Sequence, residues 1–227
     1  MLVSMWMARN LVTVGQELML SDVAALMSRH RIRRVPVVEP AADGPRLLGI
    51  VSAADILPAF PHDLNPFSAS ADAACAEGEH QSGADKPITV MDVMTRNPLT
   101  CTADAPIETA ARLMCENKIG ALPVVRKQTL VGLITESDIF RAFTDIFDST
   151  AVGARITFAL PPDDDEDIFP LVTGMACRHR LRVVNFISLT KHEHPVCVIE
   201  VAGTAVDALL EEIWKSKHQV ISVLHLP

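Results

Sequence analysis

The sequence lacks the features that would place it in a membrane or an oxidising compartment. No apolar run approaches about 18 residues, so we expect no membrane-spanning helix. The apolar start ends early at Arg9 and has no basic segment before it, so we expect no signal peptide. Five cysteines occur without a C-x-x-C pair, and this odd number favours reduced thiols over a disulfide framework. These absences predict a cytoplasmic protein.

Signatures of common catalytic centres are also missing. The chain contains no Gly-x-Ser-x-Gly, Walker A, Rossmann or His-Glu-x-x-His pattern, and no nucleophile and base can be nominated from spacing. His192 and His194 lie in a polar turn with no further ligand in register, so we expect no metal site. The sequence therefore predicts a protein that is not an enzyme and requires no cofactor.

Composition indicates an ordinary globular chain. Apolar residues make up 49% and charged residues 21% of the 227 residues. At roughly 150 residues per domain, the length predicts one or two domains. The formal net charge of −8 gives no overall field for nucleic acid or an anionic membrane, so we expect neither as a partner. The mean hydropathy of +0.25 is slightly apolar and favours a buried interface between subunits.

An internal repeat organises the first part of the chain. Residues 9–38 align with residues 96–125 at a constant offset of 87. The offset then falls to 83, because the first copy carries four extra residues around 40–44, and Asp55 matches Asp138. Agreement over this length indicates a duplication.

Each copy predicts the same order of elements, strand–helix–strand–strand–helix. The helices show apolar residues on one face, and a second helix starts after Ser52 and after Thr135. Asp104 is the expected N-cap of the first helix in the second copy, with Pro106 in its first turn. The predicted strands are Leu11–Val14, Val35–Val38 and Leu47–Val51 in the first copy, and Leu99–Thr102, Leu122–Val125 and Leu130–Ile134 in the second.

The rest of the chain consists of a linker and a third unit. Residues 65–86 contain no Val, Ile, Leu or Met, which predicts a flexible linker. After residue 147 the pattern predicts β-α-β-β-α-β, the ferredoxin-like plan. The predicted divisions are 1–64, 65–86, 87–147 and 148–227.

Matched motifs mark the copies. They end in Gly49-Ile50-Val51-Ser52-Ala53-Ala54-Asp55 and in Gly132-Leu133-Ile134-Thr135-Glu136-Ser137-Asp138. The second copy also carries Asp92-Val93-Met94-Thr95 and Ala121-Leu122-Pro123-Val124-Val125, whereas the first begins with Met5-Trp6-Met7-Ala8. By these motifs residues 1–147 resemble two tandem CBS domains, a Bateman module.

The element order of residues 148–227 resembles an ACT domain, so the whole chain is similar to CBS–ACT proteins of the acetoin-utilisation type. The expected fold class is α+β, with two tandem CBS-type β-α-β-β-α units forming one module and a C-terminal ferredoxin-like, ACT-like domain. The first β-α loop of this domain consists of prolines and acids without the glycine that amino-acid-binding ACT domains usually have.

The Gly-x-x-Ser/Thr-x-x-Asp pattern has two interpretations. At a strand-to-helix junction the glycine lets a ligand approach the backbone, and the helix N-terminus suits phosphate. The hydroxyl of Ser52 or Thr135 can donate to the ligand, and Asp55 or Asp138 can accept from two ribose hydroxyls. The same spacing is that of a capping box, so either pair can simply cap its helix. The two roles are compatible.

The resemblance implies an adenosyl ligand (AMP, ADP, ATP or a related compound) and further contacts. Thr13 and Thr100 lie on first strands, which line the cleft in CBS modules; the alternative is ordinary strand residues. Arg33 and Arg34 occupy the positions of Gly120 and Ala121 in the other copy. The arginines can pair with phosphate in the first copy, or complement a helix end, and the small pair leaves room for adenine.

The resemblance thus implies a non-catalytic ligand sensor. It would act as a homodimer, with an unknown regulated protein as partner. Two other functions stay open: a constitutive interaction scaffold with vestigial nucleotide sites, and an amino-acid sensor that acts through the ACT-like domain.

Overall fold

The protein is described here by a computed structural model. It describes residues 1–59, 88–147, 151–160, 167–190, 194–216 and 218–226. The predicted linker 65–86 and His192 lie outside these residues. The chain divides into two units, Met1–Phe140 and Arg141–Pro227. None of the helices in the described ranges is long and apolar enough to cross a membrane. The four domain divisions drawn from the sequence stay predictions.

The first unit repeats its elements in the order that the duplication predicts. The first copy contains α1 (Leu20–His30), β1 (Arg34–Glu39), β2 (Arg46–Ser52) and α2 (Ala53–Ile56), with 3₁₀ turns at Val3–Met5 and Leu57–Ala59. The second copy contains α3 (Val90–Val93), β3 (Thr95–Arg96), α4 (Ile107–Asn117), β4 (Ala121–Arg126), β5 (Thr129–Thr135) and α5 (Glu136–Phe147). The predicted hairpin of each copy is confirmed.

Equivalent helices bury equivalent residues. α1 buries Leu20, Val23 and Met27, and α4 buries Ile107, Ala110 and Met114, each pair separated by the same offset of 87. Both helices end at a residue in the left-handed conformation with φ of 53°, at Arg31 and Lys118. The apolar face that the sequence predicts is therefore the face that packs on the sheet.

The first strand of each copy is shorter than predicted. Val14 and Cys101 each form a single parallel bridge, to Val37 and Val124, in place of the strands expected at 11–14 and 99–102. The Val14 amide donates to the Pro36 carbonyl at 3.1 Å, and the Val38 amide donates back to Val14 at 2.9 Å. To extend this parallel ladder toward the start of the strand, residue 36 would have to donate a backbone N–H. Residue 36 is a proline and has no N–H, so the pairing stops there. Pro123 has the same position in the second copy.

The predicted N-cap at Asp104 is wrong. Pro106 is the N-cap of α4 and offers no side-chain cap. Asp104 instead accepts a hydrogen bond from the Thr102 side chain, which lowers the pKa of its carboxyl group. The first amide of α4, at Ile107, donates to the Met1 carbonyl at 3.0 Å.

The segments that precede the two copies are exchanged between them. The Met1 carbonyl binds the first amide of α4 in the second copy. In the same way, the Ile88 carbonyl accepts from the first amide of α1, at Leu20, at 3.0 Å. Ala8 exchanges two hydrogen bonds with Leu133, of 2.9 and 3.0 Å, and β3 pairs with β2. With β1-β2-β5-β4 as the strand order, the copies form one module, as the sequence predicts.

The second unit has the predicted β-α-β-β-α-β order. Its elements are β6 (Gly153–Ala159), α6 (Ile168–Arg178), β7 (Arg182–Leu189), β8 (Val196–Ala202), α7 (Val206–Lys215) and β9 (Val220–Leu226). The sheet is antiparallel in the order β7-β8-β6-β9, so β8 lies between the two strands that α6 connects. This is the split βαβ arrangement. The assignment to the ACT family stays a prediction.

A buried ion pair holds the end of α5 within the second unit. Glu200 on β8 is 1% exposed and pairs with Arg155 on β6 at 3.0 Å. Arg155 also donates to the Phe147 carbonyl at 2.7 Å, with its guanidinium 4.6 Å from the Phe147 ring centre. The Asn185 amide donates to the Ile146 carbonyl at 2.5 Å. The last carbonyls of the helix are thereby satisfied.

We predict that His218→Leu stabilises the second unit. His218 is 3% exposed, and its ring nitrogens have no hydrogen-bond partner in the described part of the chain. Burying unpaired polar atoms is unfavourable, so an apolar side chain should raise the free energy of unfolding by about 1 kcal/mol. Urea unfolding followed by Trp214 fluorescence in a Trp6→Phe background measures this. The exposed His225→Leu is the control, and an equal or lower stability of the His218 variant would contradict the prediction.

Candidate functional site

Both Ser/Thr-x-x-Asp pairs are closed by hydrogen bonds between their own two residues, and the Ser52 pair forms a full capping box. The Ser52 amide and hydroxyl each donate to Asp55 Oδ2 at 2.7 Å, and Ser52 Oγ accepts from the Asp55 amide at 3.3 Å. The Thr135 amide and hydroxyl donate to Asp138 Oδ2 at 2.9 and 2.7 Å. Asp138 is 8% exposed, whereas Asp55 is half-buried. The capping interpretation is therefore confirmed for Ser52, and in the second copy the structure gives the bonds from Thr135 to Asp138.

A third pair with the same bonds lies outside the two repeat motifs. The Thr89 amide and hydroxyl donate to Asp92 Oδ2 at 2.9 and 2.8 Å, at the start of α3. These bonds thus also form at a helix start outside the repeat motifs, and their geometry alone does not indicate a ligand. The Thr89 box therefore serves as a control for the boxes at Ser52 and Thr135.

One carboxylate oxygen at the first box is available for a further bond. The Ser52 box engages Asp55 Oδ2, and Oδ1 accepts no hydrogen bond from residues within the described ranges. An ionised carboxylate accepts on both oxygens. Asp55 can therefore cap α2 and accept from a ligand hydroxyl at the same time.

The motif glycines serve the exchanged segments. A methyl group at Gly49 would lie 2.8 Å from the Thr95 carbonyl oxygen and 2.9 Å from Met94 Sδ. At Gly132 it would lie 3.0 Å from the Ala8 oxygen and 2.6 Å from Met7 Sδ. We expected these glycines to admit a ligand. The preceding segment of the other copy occupies the space instead.

Arg34 reaches the box of the second copy. Its backbone pairs with Ser52, but its side chain extends to Gly120, which is buried. A methyl group at Gly120 would lie 2.9 Å from Arg34 Cζ and 2.6 Å from Glu136 Oε2. The sequence suggested Arg34 for phosphate in the first copy. Its guanidinium lies instead at the start of α5, where the missing side chain of Gly120 leaves room.

The backbone before each hairpin closes the first turn of the following helix. The Arg33 carbonyl accepts from the Ala53 amide at 2.8 Å, and the Gly120 carbonyl accepts from the Glu136 amide at 3.2 Å. The Arg33 side chain is exposed, and Ala121 is buried in β4 opposite Thr135. Of the predicted residues, Gly120, Ala121, Thr135 and Asp138 thus lie together with Arg34.

Two predicted residues lie elsewhere, and one was missed. Thr13 is exposed, and Thr100 lines a cavity of about 400 Å³ that none of the box residues lines. Glu136 lies beside Arg34 but was not predicted. Its position directly after Thr135, as first residue of the helix, was the signal available in the sequence.

The buried thiols of Cys101 and Cys197 are poor nucleophiles, because burial disfavours the thiolate form. Burial raises the pKa of Cys101 to about 11 and that of Cys197 to about 12, so both thiols stay protonated near neutral pH. Within the described ranges no three His, Cys, Asp or Glu side chains are placed to hold a metal ion.

Comparison with known proteins identifies the family of the first unit. A model of the CBS domain matches residues 3–62 and 90–145, the two copies of the repeat. The chain belongs to the CBS domain family. The uncharacterized protein MJ1225 of Methanocaldococcus jannaschii is 30% identical over 142 residues, which cover 61% of this chain and 45% of MJ1225.

Two solved structures are similar to about two thirds of the chain. A putative acetoin utilization protein (AcuB) from Vibrio cholerae is 30% identical with a TM-score of 0.50, and the match covers 65% of this chain and 95% of that one. CBSX2, solved in complex with AMP, is 27% identical with a TM-score of 0.48, covering 64% and 98% of the chains. The chain spans 45%, 35% and 22% of three curated relatives, so it corresponds to part of those proteins.

We predict that Ser52→Ala destabilises the CBS module without any ligand. The variant removes the hydroxyl that accepts from the Asp55 amide, and loss of an N-cap costs about 1 kcal/mol. Urea unfolding followed by Trp6 fluorescence in a Trp214→Phe background measures the change. Ser28→Ala, on the exposed face of α1, is the control and should change stability by less than about 0.5 kcal/mol. Equal stabilities of the two variants would contradict the prediction.

Proposed function

We propose that this CBS-domain protein is a non-catalytic sensor that binds an adenine nucleotide or another adenosyl ligand at its capping boxes. The observation that carries the proposal is the second box, where Asp138 is 8% exposed and the Arg34 side chain lies against Gly120 and Glu136. A carboxylate and a guanidinium at one helix start supply the two kinds of group that a ribose phosphate needs.

The chemistry of each contact follows from charge and hydrogen-bonding capacity. A carboxylate accepts from the two neighbouring hydroxyls of a ribose, which is the role we propose for Asp55 and Asp138. Ser52 and Thr135 contact ribose or phosphate. Arg34 contacts phosphate at the second box, where the first amides of α5 also favour a negative charge.

The two boxes are proposed to differ in the ligand they prefer. Arg34 lies at the second box, while its repeat equivalent, Ala121, carries no charge. Glu136 beside Arg34 offsets part of the positive charge. A phosphorylated adenosyl compound is thus favoured at the second box more than at the first. The roles of Arg33, Thr13 and Thr100 remain as predicted from the resemblance.

The proposed sensor is a cytoplasmic homodimer that regulates another protein. Phe140 and Phe143 on α5 are 70% and 58% exposed, apolar area that a second copy would cover. A ligand that binds one dimer arrangement more tightly than another shifts the population toward it. The regulated partner is proposed to read that shift.

A constitutive interaction scaffold is the second candidate function. The observation that favours it is the Thr89 box, which has the same hydrogen bonds outside the repeat motifs. On this interpretation all three boxes cap helices and none binds a ligand. The third candidate, an amino-acid sensor in the ACT-like unit, depends on a loop at 161–166 that lies outside the described residues.

We predict that AMP, ADP, ATP or S-adenosylmethionine raises the unfolding temperature of the full chain. A ligand at 100 times its dissociation constant stabilises the folded state by about 2.7 kcal/mol. Asp55→Ala or Asp138→Ala should remove the shift at its own box. Asp92→Ala changes an equivalent box outside the site and should keep the full shift.

Isothermal titration of the same variants separates the candidates. Loss of binding in Asp55→Ala or Asp138→Ala, with binding kept in Asp92→Ala, supports the sensor. No heat and no thermal shift with all four compounds favours the scaffold. Equal loss in all three variants indicates destabilisation and contradicts a specific role for the two boxes.

We predict that Arg34→Ala weakens AMP binding about tenfold while adenosine binding stays within about twofold, because the lost contact is charge-assisted and specific to phosphate. Titration calorimetry with both ligands measures the ratio. Arg29→Ala removes an exposed charge on α1 that the proposal assigns to neither box, and it is the matched control. An equal effect of Arg34→Ala on AMP and adenosine would contradict phosphate binding by this side chain.

A further inference from the structure

A second candidate site lies at the tips of the two hairpins. A cavity of about 720 Å³ is lined there by Asp43, Arg46, Arg126, Lys127 and their neighbours Ala41, Ala42, Gln128, Thr129 and Val131. None of the capping-box residues lines it. Its size is within the usual range for small-molecule sites, about 300–1,000 Å³.

The extra residues of the first copy build one wall of this cavity. Residues 40–45 connect β1 to β2, whereas residues 127–128 suffice to connect β4 to β5. Ala41, Ala42 and Asp43 belong to the longer connection and have no counterpart in the second copy. The cavity is thus a feature of this difference between the copies, and the proposed sensor function does not require it.

The longer connection is held in place against the second copy. Arg46 pairs with Thr129 at the junction of β2 and β5, and the Leu130 amide donates to the Pro45 carbonyl at 2.9 Å. Gly44 has a φ of +112°, and a methyl group there would lie 2.9 Å from Thr129 Cγ2. Close packing of this turn on β5 gives the cavity a defined wall before any ligand arrives.

Positive charge predominates on the lining. Arg46, Arg126 and Lys127 face Asp43 in a chain whose net charge is −8. Arg46 is paired with Glu39. Neither Arg126 nor Lys127 has an ion-pair partner among the residues that the structure describes, so both are available to an anion.

A second cavity adjoins the first and is partly apolar. It measures about 400 Å³ and shares Arg46, Lys127 and Gln128 with the larger one. Leu47, Leu48, Pro98 and Val125 contribute to its lining. A ligand that fills both would place an anionic group near the basic residues and an apolar part against these side chains.

We propose that the hairpin tips bind an organic anion of the phosphate type, at a site separate from the capping boxes. Arg126 and Lys127 contact the anionic group, and Arg46 adds positive charge to the lining. Asp43 opposes the anion and limits its affinity. The proposal stands independently of adenosyl binding at the boxes.

Calorimetric titration with inorganic pyrophosphate at low ionic strength tests the proposal on the full chain. Arg126→Gln with Lys127→Gln should weaken binding about tenfold, since charge-assisted contacts are lost while side-chain length is nearly kept. Asp43→Asn should tighten binding about threefold, the size expected for one exposed charge. Added salt should weaken binding in the wild type. The control is Arg29→Gln with Arg112→Gln, which removes equal charge from exposed helix positions.

The outcomes separate this site from the boxes. Weaker binding in the Arg126/Lys127 variant and tighter binding in Asp43→Asn, with Asp138→Ala unchanged, support the hairpin site. Absence of pyrophosphate binding by the wild type at millimolar concentration overturns it. Loss of binding in Arg34→Ala or Asp138→Ala, with the Arg126/Lys127 variant unaffected, also overturns it and assigns the anion to the second box.

Discussion

The exchange of the segments that precede the two copies is the constraint on which the CBS module depends. Each segment supplies the carbonyl that binds the first amide of the other copy's helix, at Leu20 or Ile107. Each then crosses a motif glycine of the other copy so closely that a side chain has no room, as at Gly49 and Gly132. Neither copy can complete its helix start or its sheet alone, so folding the module places both capping boxes in one body.

The hydrogen bonds of the two boxes belong to the fold and form without a ligand. The amides of Ser52 and Thr135 are satisfied by Asp55 and Asp138 without a ligand. A site whose polar groups are paired internally stays folded when empty, which a sensor with two functional states requires. At the first box a ligand would then add a contact to the second oxygen of the Asp55 carboxylate, with the cap retained.

The sequence predicted the features that depend on contacts within one copy of the repeat. The hairpins, the apolar faces of α1 and α4, and the boxes all follow from residue spacing within one copy. The role of the motif glycines, the placement of Arg34 at Gly120 and the N-terminal partner of α4 depend on segments far apart in sequence. Asp104 shows the difference: it has the residue type of a cap, but Met1 binds the helix amide instead. Long-range backbone pairing replaced the local signal.

The duplication also explains why the two halves of the module are not equivalent. Equivalent positions carry different side chains. Arg34 extends to Gly120 in the second copy, whereas its repeat equivalent, Ala121, has no charged group to extend to the first copy. The helices that follow the boxes differ as well: α2 has four residues, and α5 has twelve. The second box therefore lies at the start of a much longer helix than the first.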